Sequence, residues 1–386
     1  MNIHRYQPLS IFILMLSACT SMTSWLQDDV YVAPPAELID FTPEFQSTLA
    51  WSINTGSGSD NYTNLATWLQ NDRLISVDQK GGIGSWDTLS GGNIWKTDLD
   101  VSLASGAGGG EGLILVGSKE GDVFALDEET GTIIWQNTLT SEVLSPPKAA
   151  MDVAIVRTAD GRTTGLSVSD GHILWSYQRK VPLLSLRGAG EAIVADDKVI
   201  TGYANGKLVA LSITDGSVIW EKSVAVPRGR TELDRLVDID SAPVIKDGII
   251  YVVAYHGRLA ALSLDDGSIL WYREMSSHSG LDVDVGNATY VTDDQGYVWA
   301  IQDGTGDALW RQTQLLRRNV TAPVIMGDYL IVGDYEGYVH WISRRDGHFS
   351  ARVKVTNSAI LSKPIVQENL VYVTSTNGEI TALMVP

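Results

Sequence analysis

The sequence predicts an all-β chain: an eight-bladed β-propeller of four-stranded antiparallel blades, its ring closed by the N-terminal strand around Trp51. Three observations carry that prediction. A turn glycine and a tryptophan recur 14 positions apart, at Gly81/Trp95, Gly121/Trp135, Gly161/Trp175, Gly206/Trp220, Gly257/Trp271 and Gly296/Trp310. Successive turn glycines, at 81, 121, 161, 206, 257, 296, 337 and 378, are 40, 40, 45, 51, 39, 41 and 41 residues apart. No part of the repeat has helical periodicity, while short alternating runs bounded by x-Gly turns fill it.

"EGDVFALDEETGTIIW", Glu120 to Trp135, shows how a unit is built. The first x-Gly pair turns the chain because glycine accepts positive φ. An alternating run follows, so one face is buried, as with Leu208 and Ala210 in a later copy. A second turn, Asp-Gly or Thr-Gly, leads to a β-branched or aliphatic pair and the tryptophan of the outer strand. Upstream, Pro147, Pro243, Pro323 and Pro364 each precede the turn glycine by 14, with an apolar strand such as Gly248 to Tyr255 between. The seventh copy has Ala351 where the tryptophan is due. The eighth starts at Gly378 and meets the chain end at Pro386, without an outer strand. "LAWSINTG", Leu49 to Gly56, is a tryptophan-bearing strand with no blade before it, and supplies the missing one. Closure of the ring removes an exposed sheet edge. The unit resembles the repeat of quinoprotein-type propellers, where the tryptophan packs on the neighbouring blade. That resemblance implies structural roles for Trp51, Trp95, Trp135, Trp175, Trp220, Trp271 and Trp310.

The charge balance is strongly acidic, 46 Asp and Glu against 28 Lys and Arg. This excludes nucleic acid as a partner and excludes docking of the folded body on an anionic membrane. The start of the chain is different. His4 and Arg5 precede an apolar run, Leu9 to Leu16, that is too short to span a bilayer. Leu16-Ser17-Ala18-Cys19 then resembles the bacterial lipobox, and Cys19 is the only cysteine in the chain. Residues 1–18 read as a lipoprotein signal peptide, 19–44 as a lipidated, palmitate-bearing tether and 45–386 as the propeller. By resemblance to Gram-negative lipoproteins, Thr20 after the cysteine implies sorting to the outer membrane, on its periplasmic face.

The propeller type raises a quinone-dependent dehydrogenase as an alternative. Such enzymes carry a vicinal cysteine pair, and this chain has one cysteine, which belongs to the lipobox. "DVDVGN", Asp282 to Asn287, has too few acids at the right offsets for a calcium loop. "SGAGGGEG", Ser105 to Gly112, precedes no helix, so it reads as a flexible blade loop rather than a phosphate loop. His172, His256, His278, His340 and His348 read as turn or surface residues without ligand spacing. No cofactor, metal or catalytic residue is expected, and function is assigned to the surface.

Two consecutive intervals, 45 and 51, break the repeat. Trp175 to Gly206 spans 31 residues against 26 for Trp135 to Gly161, and the excess lies in "QRKVPLLSLRGAGEAI". Trp220 to Pro243 spans 23 against 12 for Trp135 to Pro147, and the excess lies in "VAVPRGRTELDRLVDID". Both insertions occupy the same kind of connection, from an outer strand to the next inner strand, at adjacent junctions on one face. Leu184, Leu186 and Arg187 are therefore expected beside Asp238 and Asp240 on one rim, with the composition of an interface core. The alternation of Leu184 and Leu186 also fits a buried strand face.

"LSLRG" (Leu184 to Gly188), "TELDRLVDID" (Thr231 to Asp240) and "GDYEGYVHWI" (Gly333 to Ile342), with the lipobox and the propeller repeat, resemble the BamB family. These are lipoproteins of the outer-membrane β-barrel assembly machinery. The resemblance implies a non-enzymatic scaffold that docks POTRA domains of the barrel-forming subunit BamA. It implies further contact with other machinery subunits and with unfolded outer-membrane proteins. Contact positions of the family fall on Leu184, Leu186, Arg187, Asp238 and Asp240.

Overall fold

The computed structural model describes residues 33–59, 65–182, 190–227, 230, 231 and 236–386. Within Ala36–Pro386, which forms one unit, the strands make six four-stranded sheets and one eight-stranded sheet. The large sheet is two four-stranded sets joined by one parallel bridge, Lys148 to Gly109. The blades span residues 68–98, 108–138, 148–178, 193–223, 244–274, 280–312, 324–354 and 365–384. The eighth takes its outermost strand from the other end of the chain. Thr48–Asn54 pairs antiparallel with Glu379–Met384 and sets Trp51 opposite Ala382.

The core is divided among the blade junctions. Each apolar cluster joins two successive blades: Ile75, Ile83 and Trp95 meet Ile114, Val116 and Phe124, for example. The eighth closes the ring by joining Leu370 and Tyr372 to Leu74 and Trp86 through Trp51. A blade buries its faces only against its neighbours, so none is stable alone.

The tryptophans lie at the centre of these junctions. The indole Nε1 of Trp51, Trp95, Trp135, Trp175, Trp220 and Trp310 donates to the carbonyl of Thr88, Glu128, Val168, Ile213, Leu264 and Arg344, each in the following blade. Trp271 donates instead to the Asp303 carboxylate at 3.3 Å. Each ring also rests on the second-turn glycine of that blade. A Cβ on Gly171 would lie 2.4 Å from the Trp135 ring, and one on Gly216 2.5 Å from Trp175.

Ala351 departs from this rule for a topological reason. The eighth blade has no turn into its outermost strand, so a tryptophan at 351 would have no glycine to rest on. Ala351 is buried among Val371, Leu383 and Val385, and Phe45 packs on that cluster. The Phe45 ring stands edge-on to Trp341 at 6.1 Å and lies 5.0 Å from Tyr329.

Two local expectations are corrected. The run Gly108–Gly110 is no flexible loop but the innermost strand of the second blade. Its glycines admit neighbouring backbone, since a Cβ on Gly108 would sit 2.1 Å from Pro147 O and one on Gly110 2.3 Å from Ala149 O. His340 is no surface residue. It is buried, with Nε2 3.0 Å from the buried Asp334 carboxylate. Asp334 also accepts from Arg318 Nε at 2.8 Å, and Arg318 Nη1 donates to Ala36 O. Arg352 Nη1 donates to Ile39 O. From Ala36 onward the segment expected to be tether thus packs on the connection into the seventh blade and, from Ile39, on that blade, and "GDYEGYVHWI" supplies the acid that orients Arg318.

Gly171→Ala and Gly304→Ala separate the two reasons for glycine. Both residues have positive φ, 74° and 84°, but nothing lies within 4 Å of a Cβ at Gly304. Gly171→Ala is expected to cost about 1–3 kcal/mol more in chemical denaturation, because it overpacks Trp135 as well. Equal losses would show that the ring contact contributes nothing.

Candidate docking rim

The two enlarged connections flank the fourth blade, residues 193–223. Leu184, Leu186 and Arg187 lie outside the described residues. The described ends of both connections meet. Gly190 closes the first, and a Cβ there would lie 2.4 Å from Ile239 O in the second. Ile239 is itself buried against Gly202, whose Cβ would stand 2.3 Å from Ile239 Cγ2. Only a residue without a side chain allows these backbones to cross.

Asp238 and Asp240 occupy different surroundings. Asp238 is 2% exposed. Its backbone pairs with Tyr255, whose N–H donates to Asp238 O at 2.8 Å, and its carboxylate accepts from Ile239 N at 2.9 Å. It shapes the end of the connection. Asp240 is half-buried at a central cavity of about 1010 Å³, which Glu191, Tyr255, His278, Asp294 and Lys363 also line. Burial pushes the Asp240 carboxyl up from 3.8 to about 6, with the Arg157 guanidinium opposing.

A second tie holds the longer connection. His256 Nδ1 lies 3.1 Å from Leu236 O, positioned to donate. His256 has φ 48°, while Gly257 beside it lacks positive φ. The equivalent glycines 81, 121, 161, 206, 296, 337 and 378 all have positive φ. The fifth blade has therefore moved its left-handed residue by one position, at the turn that touches the insertion. Strain of this kind on a non-glycine residue persists only where surrounding contacts hold it.

Sequence reasoning missed Arg157, which is buried, donates through Nη1 to Gly190 O and lies 5.0 Å from the Tyr203 ring centroid. Its signal was available: an arginine closes the apolar strand Val153–Arg157. Among the described residues no group of His, Cys, Asp and Glu is placed to hold a metal ion. The arrangement instead brings the described ends of two backbone connections together at Gly190 and Ile239.

The model of the family described as "Outer membrane protein assembly factor BamB" matches residues 79–312 and 296–385. The chain belongs to the BamB family. BamB of Kangiella koreensis is 41% identical over 379 residues, 98% of this chain and 95% of that protein. The crystal structure of BamB from Moraxella catarrhalis superposes with a TM-score of 0.81 at 28% identity, covering 88% of this chain and all of that one. The quinohemoprotein alcohol dehydrogenase of Comamonas testosteroni superposes at a TM-score of 0.66 with 13% identity, over 88% of this chain and 76% of that one. That likeness is one of fold. The BamB family match spans the stretch of chain that holds both enlarged connections.

The raised Asp240 carboxyl makes stability depend on pH. Its contribution is full below about pH 4 and is lost as pH rises through about 6. Asp240→Asn removes this loss. Urea midpoints at pH 4.5 and 7 are expected to show the variant gaining about 1–3 kcal/mol relative to the parent over that interval. Parallel pH curves would contradict the assignment.

Proposed function

We propose that this chain is a non-enzymatic scaffold subunit of the outer-membrane β-barrel assembly machinery. The relationship to BamB over nearly the whole chain carries the reading. The rim supports it, because the two insertions that distinguish this propeller from a plain repeat converge at Gly190 and Ile239. Leu184, Leu186 and Arg187 form the contact half that meets POTRA domains of BamA. Asp238 fixes the connection behind it through its pairing with Tyr255, and Asp240 lines the cavity beside it. Connection ends that are already held lower the ordering cost of docking.

The same reading places the chain on the periplasmic face of the outer membrane. The signal peptide, residues 1–18, is removed and Cys19 carries the lipid, with 19–44 leading into the propeller. Multiple acyl chains make a stable anchor where one is marginal. Unfolded outer-membrane proteins are a further partner. The outermost strands expose apolar pairs, Ile133 with Ile134, Ile173 with Leu174 and Ile269 with Leu270, beside an unpaired edge. Such an edge accepts an added strand.

Two experiments test the two parts. Arg187→Ala and Leu186→Ala are expected to abolish co-purification with BamA from membranes while leaving the thermal midpoint unchanged; full retention by both would remove the rim assignment. Cys19→Ala is expected to move the chain from the membrane fraction to the soluble periplasmic fraction, and unaltered membrane association would remove the anchor.

A further inference from the structure

Each blade ends its second strand at an equivalent place, one pair before the repeat turn. These residues are Val77, Gly117, Arg157, Gly202, Val253, Thr292, Gly333 and Thr374, paired with Ile83, Val123, Thr163, Leu208, Leu259, Val298, Val339 and Ile380. Arg157 is the one charged residue of the eight. The glycines show what the place receives. A Cβ on Gly117, Gly202 or Gly333 would lie 2.3, 2.3 or 2.4 Å from Val143, Ile239 or Ile360, the apolar residue that the next connection inserts there.

Arg157 takes this place at the junction where the first enlarged connection enters. Its Nη1 donates to Gly190 O, and its guanidinium covers the Tyr203 ring. The carboxylates of Asp238 and Asp240 act on it electrostatically. A Cβ on Gly190 would in turn lie 2.4 Å from Ile239 O and 3.3 Å from Asp240 C. One cation rooted in the third blade therefore holds the end of the first enlarged connection where that end meets the second. For stability alone, an apolar residue of similar volume serves as well as a buried charge, whose desolvation cost is large. A guanidinium here has a different use: one directed hydrogen bond holds Gly190, and its charge faces the two carboxylates of the second connection.

We propose that Arg157 is a positioning residue that latches the end of the first enlarged connection to the end of the second and so sets the docking rim. The proposal rests on the reading of that rim as the docking surface. Hydrogen exchange in the full-length chain tests it, at the amides of residues 190–192 and 236–241, with the strand Tyr329–Gly333 as reference. Arg157→Met keeps the stem and removes the charge. It is expected to speed exchange at both ends about tenfold, the scale of one lost charge-assisted hydrogen bond. The reference strand stays unchanged and co-purification with the barrel-forming subunit falls. Arg157→Lys restores both in part, which a volume effect would not do.

Acceleration at 190–192 alone would overturn the latch, as would equal acceleration in the reference strand. If both ends loosen and the complex is retained, the latch stands and the docking reading falls. Should Arg157→Met fail to fold, Tyr203→Leu removes the ring under the guanidinium, and the same pattern at both ends is required of it.

Discussion

Everything in this molecule depends on one contact, an indole ring laid on a glycine of the next blade. A four-stranded sheet has two faces and too few residues to bury either alone. The indole supplies much of the missing area, and its N–H finds a carbonyl in the same neighbour, so the polar edge of the ring is satisfied where it is buried. The glycine is required twice, by its positive φ and by the ring above it. At about 25 cal/mol per Å² and 150–250 Å² for a buried aromatic, each ring contributes several kcal/mol. The contribution lies between blades, so no blade owns it.

The seam obeys the same constraint by a different route. Where the chain ends, no turn exists to receive an indole, and Ala351 with Phe45 occupies the space. Phe45 lies in the segment leading into the closing strand, so one stretch of chain both completes the last blade and fills the last junction. The network of Arg318, Asp334 and Arg352 holds the residues just before it, from Ala36 to Ile39. The irregular features of the seventh and eighth blades are thus consequences of closing the ring with the two chain ends.

Most of the fold was legible because the repeat leaves a residue at each constrained point. Glycine and tryptophan at fixed spacing specify turn, strand and junction together. The closing strand was legible from Trp51 for the same reason. What escaped was set by three-dimensional neighbours. Gly108–Gly110 looks like a loop because nothing local shows that Pro147 and Ala149 approach it. His340 looks like a surface residue because Asp334 and Arg352 meet it only in the fold. At the rim, the insertions and their adjacency could be counted from the sequence. The separation of Asp238 and Asp240 into a buried and a cavity-facing carboxylate could not, because it depends on how Gly190 crosses Ile239. Arg157 closes an apolar strand, which marks it as unusual, but Gly190 and Tyr203, which enclose it, come together only in the fold.

The pairing of Thr48–Asn54 with Glu379–Met384 has a consequence for how the protein is made. Ser52 bonds to Glu379 across 327 residues of chain. Synthesis runs from the first of these to the second, so the closing strand emerges early and waits until Glu379–Met384 has been made. Loop closure over that distance is slow, and until it occurs the eighth blade lacks its outer edge and the first lacks the indole of Trp51. Partial chains can stack blades but cannot form the ring. An open array differs from the closed ring by the uncovered apolar faces of its end blades, which quality control can recognise.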